Sequence, residues 1–245
     1  MTSSTSVTKS TSSPAANTNW GIIREDDNCT QVDTGYPSDH DILLASLDSL
    51  GLGPHAVTAI LVTHAHNDHI GSAERLRSQY GVPVLMHEDE VAHARRDHVD
   101  QVSVGQVLAR AWRPGAVPWA VHALRGKGAL PRSRPAGVCE HRTTGPAGRP
   151  RPVHTSGHTK GHRVYHLPHS GILITGGALV TAHPTSHRIG PQFLPGVFHT
   201  DHARALGALR LIEDLDADVL APGHGPVHHG SPGKAVASAR ASAEK

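Results

Sequence analysis

A chain of 245 residues with a formal charge of +2 at pH 7 is long enough to bury a substantial core, and that charge excludes neither acidic nor neutral partners. Hydrophobic residues make up 37% and aromatics 3%, while 25 Gly and 18 Pro imply much loop, so one domain with a lean core is expected. Two cysteines are too few for a disulfide framework, and no apolar run approaches the roughly 20 residues of a membrane span.

Residues 1–18 are rich in Ser and Thr and lack the apolar stretch of a secretory signal, so they read as a disordered tail of a cytoplasmic protein. Residues 19–23 read as a strand, 25–28 as a polar turn, and 29–32 as a second strand ending at Asp33-Thr34-Gly35. An Asp at a strand end is ordinarily a turn-former. Near a histidine cluster it is equally a candidate to orient an imidazole through the nitrogen that does not bind metal. Leu43, Leu47 and Leu50 follow helical spacing over 41–50, with Ser38 as cap and Gly51 as stop.

The apolar run 59–62 reads as a buried strand and leads into Thr63-His64-Ala65-His66-Asn67-Asp68-His69. Side chains two apart on an extended segment point the same way, so His64 and His66 can converge on one ion. Asp68 and His69, after the chain turns, can reach a second position nearby. Residues 71–80 read as a helix closed by Gly81, 82–86 as a strand, and 88–96 as a helix. Strands alternating with helices point to sheets covered by helices, an α/β (α+β) fold.

Residues 101–151 carry nine Lys or Arg against Glu140 alone, with frequent Pro and Gly and poor periodicity. A loop-rich basic insert or lid is expected, with Trp112 and Trp119 as anchors. Such loops are commonly just solvated; the functional alternative is attraction of an anionic group on a small substrate. No aromatic-interleaved basic motif argues for nucleic acid. Then come a strand at 152–155, the turn Ser156-Gly157-His158-Thr159, a hairpin of 164–167 and 172–175, and Gly176-Gly177. A long loop, 178–200, carries His183, His187 and His199. An amphipathic helix over 201–215 and a strand over 219–221 lead to Pro222-Gly223-His224-Gly225-Pro226, and 231–245 reads as a flexible tail.

His64-x-His66-x-Asp68-His69, Gly157-His158-Thr159, Thr175-Gly176 and the glycine-flanked His224 stand in an order that resembles the metallo-β-lactamase-fold hydrolases over residues 19–230. The resemblance implies an αββα four-layer sandwich with metals at one edge. It also implies that His64, His66 and His158 hold one zinc ion and that Asp68, His69 and His224 hold another. The family's bridging aspartate is replaced here by Gly177. Two dications about 3.5 Å apart repel by roughly 19 kcal/mol at an effective dielectric of 20, so losing the carboxylate between them matters. One zinc on the three histidines is therefore favoured, with the second weaker or absent; His183 is a possible replacement ligand.

The activity implied is hydrolysis of a small-molecule ester, thioester, lactone or amide by metal-activated water, with Asp68 orienting that water or passing its proton on. The alternatives are a non-hydrolytic metal enzyme, lyase or isomerase in type, and a non-catalytic metal-binding relative.

Overall fold

The computed structural model describes residues 5–6, 18–98, 105, 115–126, 137–138 and 147–243. Two sheets face one another. The first has spatial order β1 (Thr5–Ser6), β2 (Gly21–Glu25), β3 (Asn28–Val32), β4 (Val57–Leu61), β5 (Val84–Met86) and β6 (Gly137–Val138). β2 and β3 form an antiparallel hairpin, and from β3 onward the pairs are parallel. Parallel neighbours need crossovers. Helix α1 (His40–Asp48) links β3 to β4, and α2 (Asn67–Ile70) with α3 (Ala73–Tyr80) links β4 to β5. Helices α4 (Glu88–Ala94) and α5 (Ala116–Gly126) lie between β5 and β6 in sequence.

The second sheet has spatial order β11 (His228–His229), β10 (Val219–Pro222), β9 (Ile172–Gly176), β8 (Arg163–Leu167) and β7 (Arg151–His154). β9 and β10 are parallel, joined through helix α6 (His202–Ala208) and a 3-10 turn at Leu209–Leu211. A last helix, α7 (Pro232–Ala243), closes the described chain.

Alternation along the strands sorts the apolar side chains into layers, because successive residues face opposite sides of a sheet. Ile22 and Ile60 pack with Leu43, Leu47 and Leu76 of α1 and α3, while their neighbours Ile23 and Leu61 join Tyr165, Leu167, Ile174 and Ala221 between the sheets. Leu173 and Leu220 face the other way, onto Ala205, Leu209, Val236 and Ala239. The result is the expected four layers, helix, sheet, sheet, helix.

Several expectations are amended. The tail boundary at residue 18 moves, since Thr18 is buried and bridges His224, and β1 pairs with β2 through Thr5–Ser6. Residues 231–245 are not a loose tail throughout: Ala-rich sequence favours helix, and Ala235, Val236 and Ala239 give α7 a buried stripe. The helix expected at 71–80 begins at Asn67 and breaks at Gly71-Ser72. There the N–H of Gly71 donates to the Gly35 carbonyl at 2.8 Å, so tertiary contact overrides helical continuity. The insert contains α5, whose Pro118 sits in the first turn, where a missing N–H costs nothing. Trp112 and most of the insert's basic residues lie outside the described residues.

Candidate metal centre

The parallel strands deliver their C-terminal ends to one edge. Asp33 follows β3, His64 follows β4, Gly177 follows β9 and His224 lies just past β10; the turn between β7 and β8 adds His158. Two ligand groups form there, His64 with His66 and His158, and Asp68 with His69 and His224, the donor atoms of each group within 4.8 Å of one another.

In the first group, His64 Nε2 lies 3.1 Å from His66 Nδ1 and 3.1 Å from His158 Nε2. The surrounding hydrogen bonds assign the tautomers. Thr63 Oγ1 gives its proton to Asp33 Oδ2 at 2.7 Å, so at 3.0 Å from His64 Nδ1 it accepts, and His64 Nε2 is left bare. His199 donates through Nε2 to the Leu194 carbonyl at 3.0 Å, so its Nδ1 accepts from His158 Nδ1 at 3.3 Å, and His158 Nε2 is also bare. Burial and the neighbouring imidazoles hold the pKa values of His64 and His158 well below the ordinary value, so neither bare nitrogen takes up a proton to relieve the other. Two lone pairs 3.1 Å apart repel, and a shared cation makes the arrangement favourable. Tetrahedral zinc with Zn–N of about 2.0–2.1 Å places its nitrogens about 3.3–3.4 Å apart, close to the spacing found.

In the second group, Asp68 Oδ2 lies 3.6 Å from His69 Nε2 and 3.5 Å from His224 Nε2. His69 Nδ1 donates to Asp33 Oδ2 at 2.8 Å, while its buried Nε2 has no hydrogen-bond partner. An unpartnered buried nitrogen beside a carboxylate and a second imidazole suits a ligand atom. Burial opposes charge on His69, yet Asp68 and Asp33 raise its pKa overall. Asp68 is opposed by burial too, but His69 and His224 bring its pKa down to about 2.

Asp33 thus orients ligands of both groups, His69 directly and His64 through Thr63, and it accepts the Thr63 N–H at 2.8 Å as well. It does so at a φ of 58°, a left-handed conformation that Asp tolerates better than most residues. Of the two roles open to Asp33 in the sequence, the orienting one is realised.

Three further supports carried no legible signal. Glu90 of α4 accepts the Ala65 N–H at 2.7 Å and the Gly161 N–H at 2.9 Å, clamping the His64–His66 loop to the His158 turn. Asn19 donates its carboxamide to the carbonyls of Pro222 at 2.8 Å and Gly225 at 2.6 Å, fixing the loop that carries His224. His162 accepts the Gly177 N–H at 3.0 Å and meets Thr155 Oγ1 at 2.8 Å. All three act through main-chain partners, and Glu90 and Asn19 do so across 25 to 206 residues of sequence.

Gly177 is closely overlaid. A Cβ there would stand 2.5 Å from His158 Nε2, so a side chain at this position requires the histidine to move. His183 lies beside the second group, its ring 5.3 Å from that of His224, but its Nδ1 is engaged with Thr185 Oγ1 at 2.7 Å and it belongs to neither ligand group. Trp119 of α5 packs edge-on to Phe198 at 5.4 Å and lies 5.9 Å from His183, an aromatic cluster next to the second group.

Two groups of potential metal ligands at the C-terminal edge of a four-layer sandwich are the arrangement of a metal-binding protein. The metallo-β-lactamase superfamily profile matches residues 14–224, and the chain belongs to that superfamily. A probable metallo-hydrolase of Bacillus subtilis, YqgX, is 29% identical over 158 residues, which is 64% of either chain. A hydroxyacylglutathione hydrolase of Bradyrhizobium is 34% identical over 80 residues, 27% of this chain and 31% of that enzyme. The matches therefore span less than two thirds of these relatives. Among solved structures, the metallo-β-lactamase family protein TTHA1429 of Thermus thermophilus superposes with a TM-score of 0.66 at 22% identity, covering 94% of this chain and 75% of the other. TTHA1623 in a di-iron-bound form gives 0.61 at 24% identity over 95% and 98%. Both establish the shared fold.

Proposed function

We propose that the protein is a zinc-dependent hydrolase of a small-molecule ester, thioester, lactone or amide, working from one ion held by His64, His66 and His158. The observation that carries this reading is the pair of bare Nε2 atoms of His64 and His158, 3.1 Å apart with His66 Nδ1 beside them. A zinc ion there would supply Lewis acidity, lowering the pKa of water towards about 7 and polarising a carbonyl.

The chain's own residues supply the rest. Asp68, held ionised with a pKa of about 2, is an orienting group for water and carries no proton of its own to give a leaving group at neutral pH. His224 and His69 stand 3.5 and 3.6 Å from its carboxylate and hold it ionised. The cluster of Trp119, Phe198 and His183 offers an apolar surface for an acyl or leaving group. Gly177 supports a single favoured ion, because a Cβ there, from which a bridging carboxylate would have to start, would meet His158 Nε2 at 2.5 Å. The similarity to a hydroxyacylglutathione hydrolase makes thioesters the first substrates to try.

Substituting His66 tests the reading. A panel of small thioesters, esters and lactones should be turned over by the zinc-loaded wild type and not by His66→Ala, which should also lose its ion. Turnover surviving in a metal-free His66→Ala protein would end the proposal.

A further inference from the structure

A third cluster lies outside the centre, formed by His87, Asp89 and His154, whose potential ligand atoms lie within 4.8 Å of one another. Its members come from both halves of the sandwich. His87 caps α4, Asp89 sits in the first turn of that helix, and His154 ends β7, the edge strand of the second sheet.

The two imidazoles stack, with centroids 4.0 Å apart and planes 27° from parallel. The hydrogen bonds again assign nitrogens. His154 donates through Nε2 to the Lys160 carbonyl at 2.9 Å, which leaves the lone pair on Nδ1. That is the arrangement of a metal-ligating histidine, whose other nitrogen is held by a main-chain carbonyl. His87 accepts the Asp89 N–H at Nδ1, 3.1 Å away, and that same nitrogen is 3.5 Å from Asp89 Oδ2. Burial first, then His154 and Arg163, keep its ring neutral.

The frame beneath these side chains is tight. A Cβ on Gly161 would lie 2.9 Å from His87 Cβ and 3.0 Å from the Glu90 nitrogen, so the 157–161 turn is seated directly on the first turn of α4. Glu90 points inward from that turn to the catalytic loops, whereas Asp89 is 51% exposed and His154 is exposed. To face one ion the stacked rings must part and His87 Nδ1 must give up the Asp89 N–H that it accepts as the cap of α4, whereas Asp89 and His154 are exposed. Arg163, opposite His154 in the β7–β8 register, is the charge that opposes a cation, and Asp89 offsets it.

We infer that His87, Asp89 and His154 form a peripheral binding site for a divalent transition-metal ion of the zinc class, joining α4 of one half to β7 of the other. Two imidazoles and one carboxylate suit zinc, with solvent completing the shell.

The test uses full-length, tag-free protein equilibrated with excess zinc, freed of loosely held metal and analysed for zinc per chain. His154→Ala and Asp89→Asn alter exposed groups and leave the catalytic loops intact. The wild type should hold one ion more than either variant, and zinc should raise its Tm by more than it raises theirs, while thioester turnover stays level in all three. Equal zinc content in wild type and both variants would overturn the inference, whatever the outcome for hydrolysis.

Discussion

Asp33 is the residue on which most of the centre turns. One carboxylate accepts from His69 and from Thr63, and through Thr63 it sets the tautomer of His64. Partners of this kind typically change metal affinity by 10–100-fold. Asp33→Asn should therefore weaken zinc binding by at least about tenfold, read by competition with a chromophoric chelator; unchanged affinity would show that the ligands are oriented by packing alone. Gly177 makes a second residue-scale case. Restoring an aspartate there does not simply rebuild a bridge, because a Cβ 2.5 Å from His158 Nε2 displaces a ligand of the other group. Gly177→Asp should lose affinity for the first ion rather than gain a second, and a gain of one tightly bound ion would refute that.

Among the elements, the ligand strands and loops were legible in the sequence because their information is local. The His64 to His69 loop follows an apolar strand, and its spacing of two on an extended segment is written in consecutive residues. The supports were not legible, because a backbone amide has no sequence signature. Glu90 looks like any acid in a helix's first turn, yet it holds the N–H groups of Ala65 and Gly161, 25 and 71 residues away. Hydrogen bonds to a buried charged group contribute about 1.5–3 kcal/mol each. Glu90→Gln keeps the shape and loses the charge and one acceptor, so it should lower unfolding free energy in urea by about 2–3 kcal/mol. A loss under about 0.5 kcal/mol would mean that the clamp is carried by packing. Helix α7 was missed for a related reason: its stripe of Ala235, Val236 and Ala239 is too weakly hydrophobic to stand out, and becomes a core face only against α6 and β10.

Across the whole molecule, the alternation of strands and helices predicted the four layers, while the insert defied prediction because its periodicity is poor. The whole fold also carries an acid sensitivity, because many imidazoles are buried uncharged. Burial lowers His162 and His183 to about 3 and His199 to about 4, against an ordinary value of 6.5. The unfolded chain binds protons at these groups below pH 6.5 and the folded chain does not, so stability falls as pH drops from that point. Each such group costs about 1 kcal/mol over the first pH unit. Glu90 acts in a lower window: its pKa is reduced from 4.5 to about 2, so its contribution is present above 4.5 and is lost as pH falls towards 2. In chelator-treated protein, urea midpoints should decline steadily from about pH 6.5 downward, before carboxylates begin to protonate. A flat profile down to pH 4.5 would mean that these rings are charged or exposed.

The central claim is that imidazoles from the β4 loop and the β7–β8 turn share one ion, and anomalous scattering at the zinc edge from crystals of protein purified without added zinc tests it most directly. The expected result is one strong peak coordinated by His64, His66 and His158, with a weaker peak or none between Asp68, His69 and His224. No peak among the three histidines, or two peaks of equal strength, would contradict it.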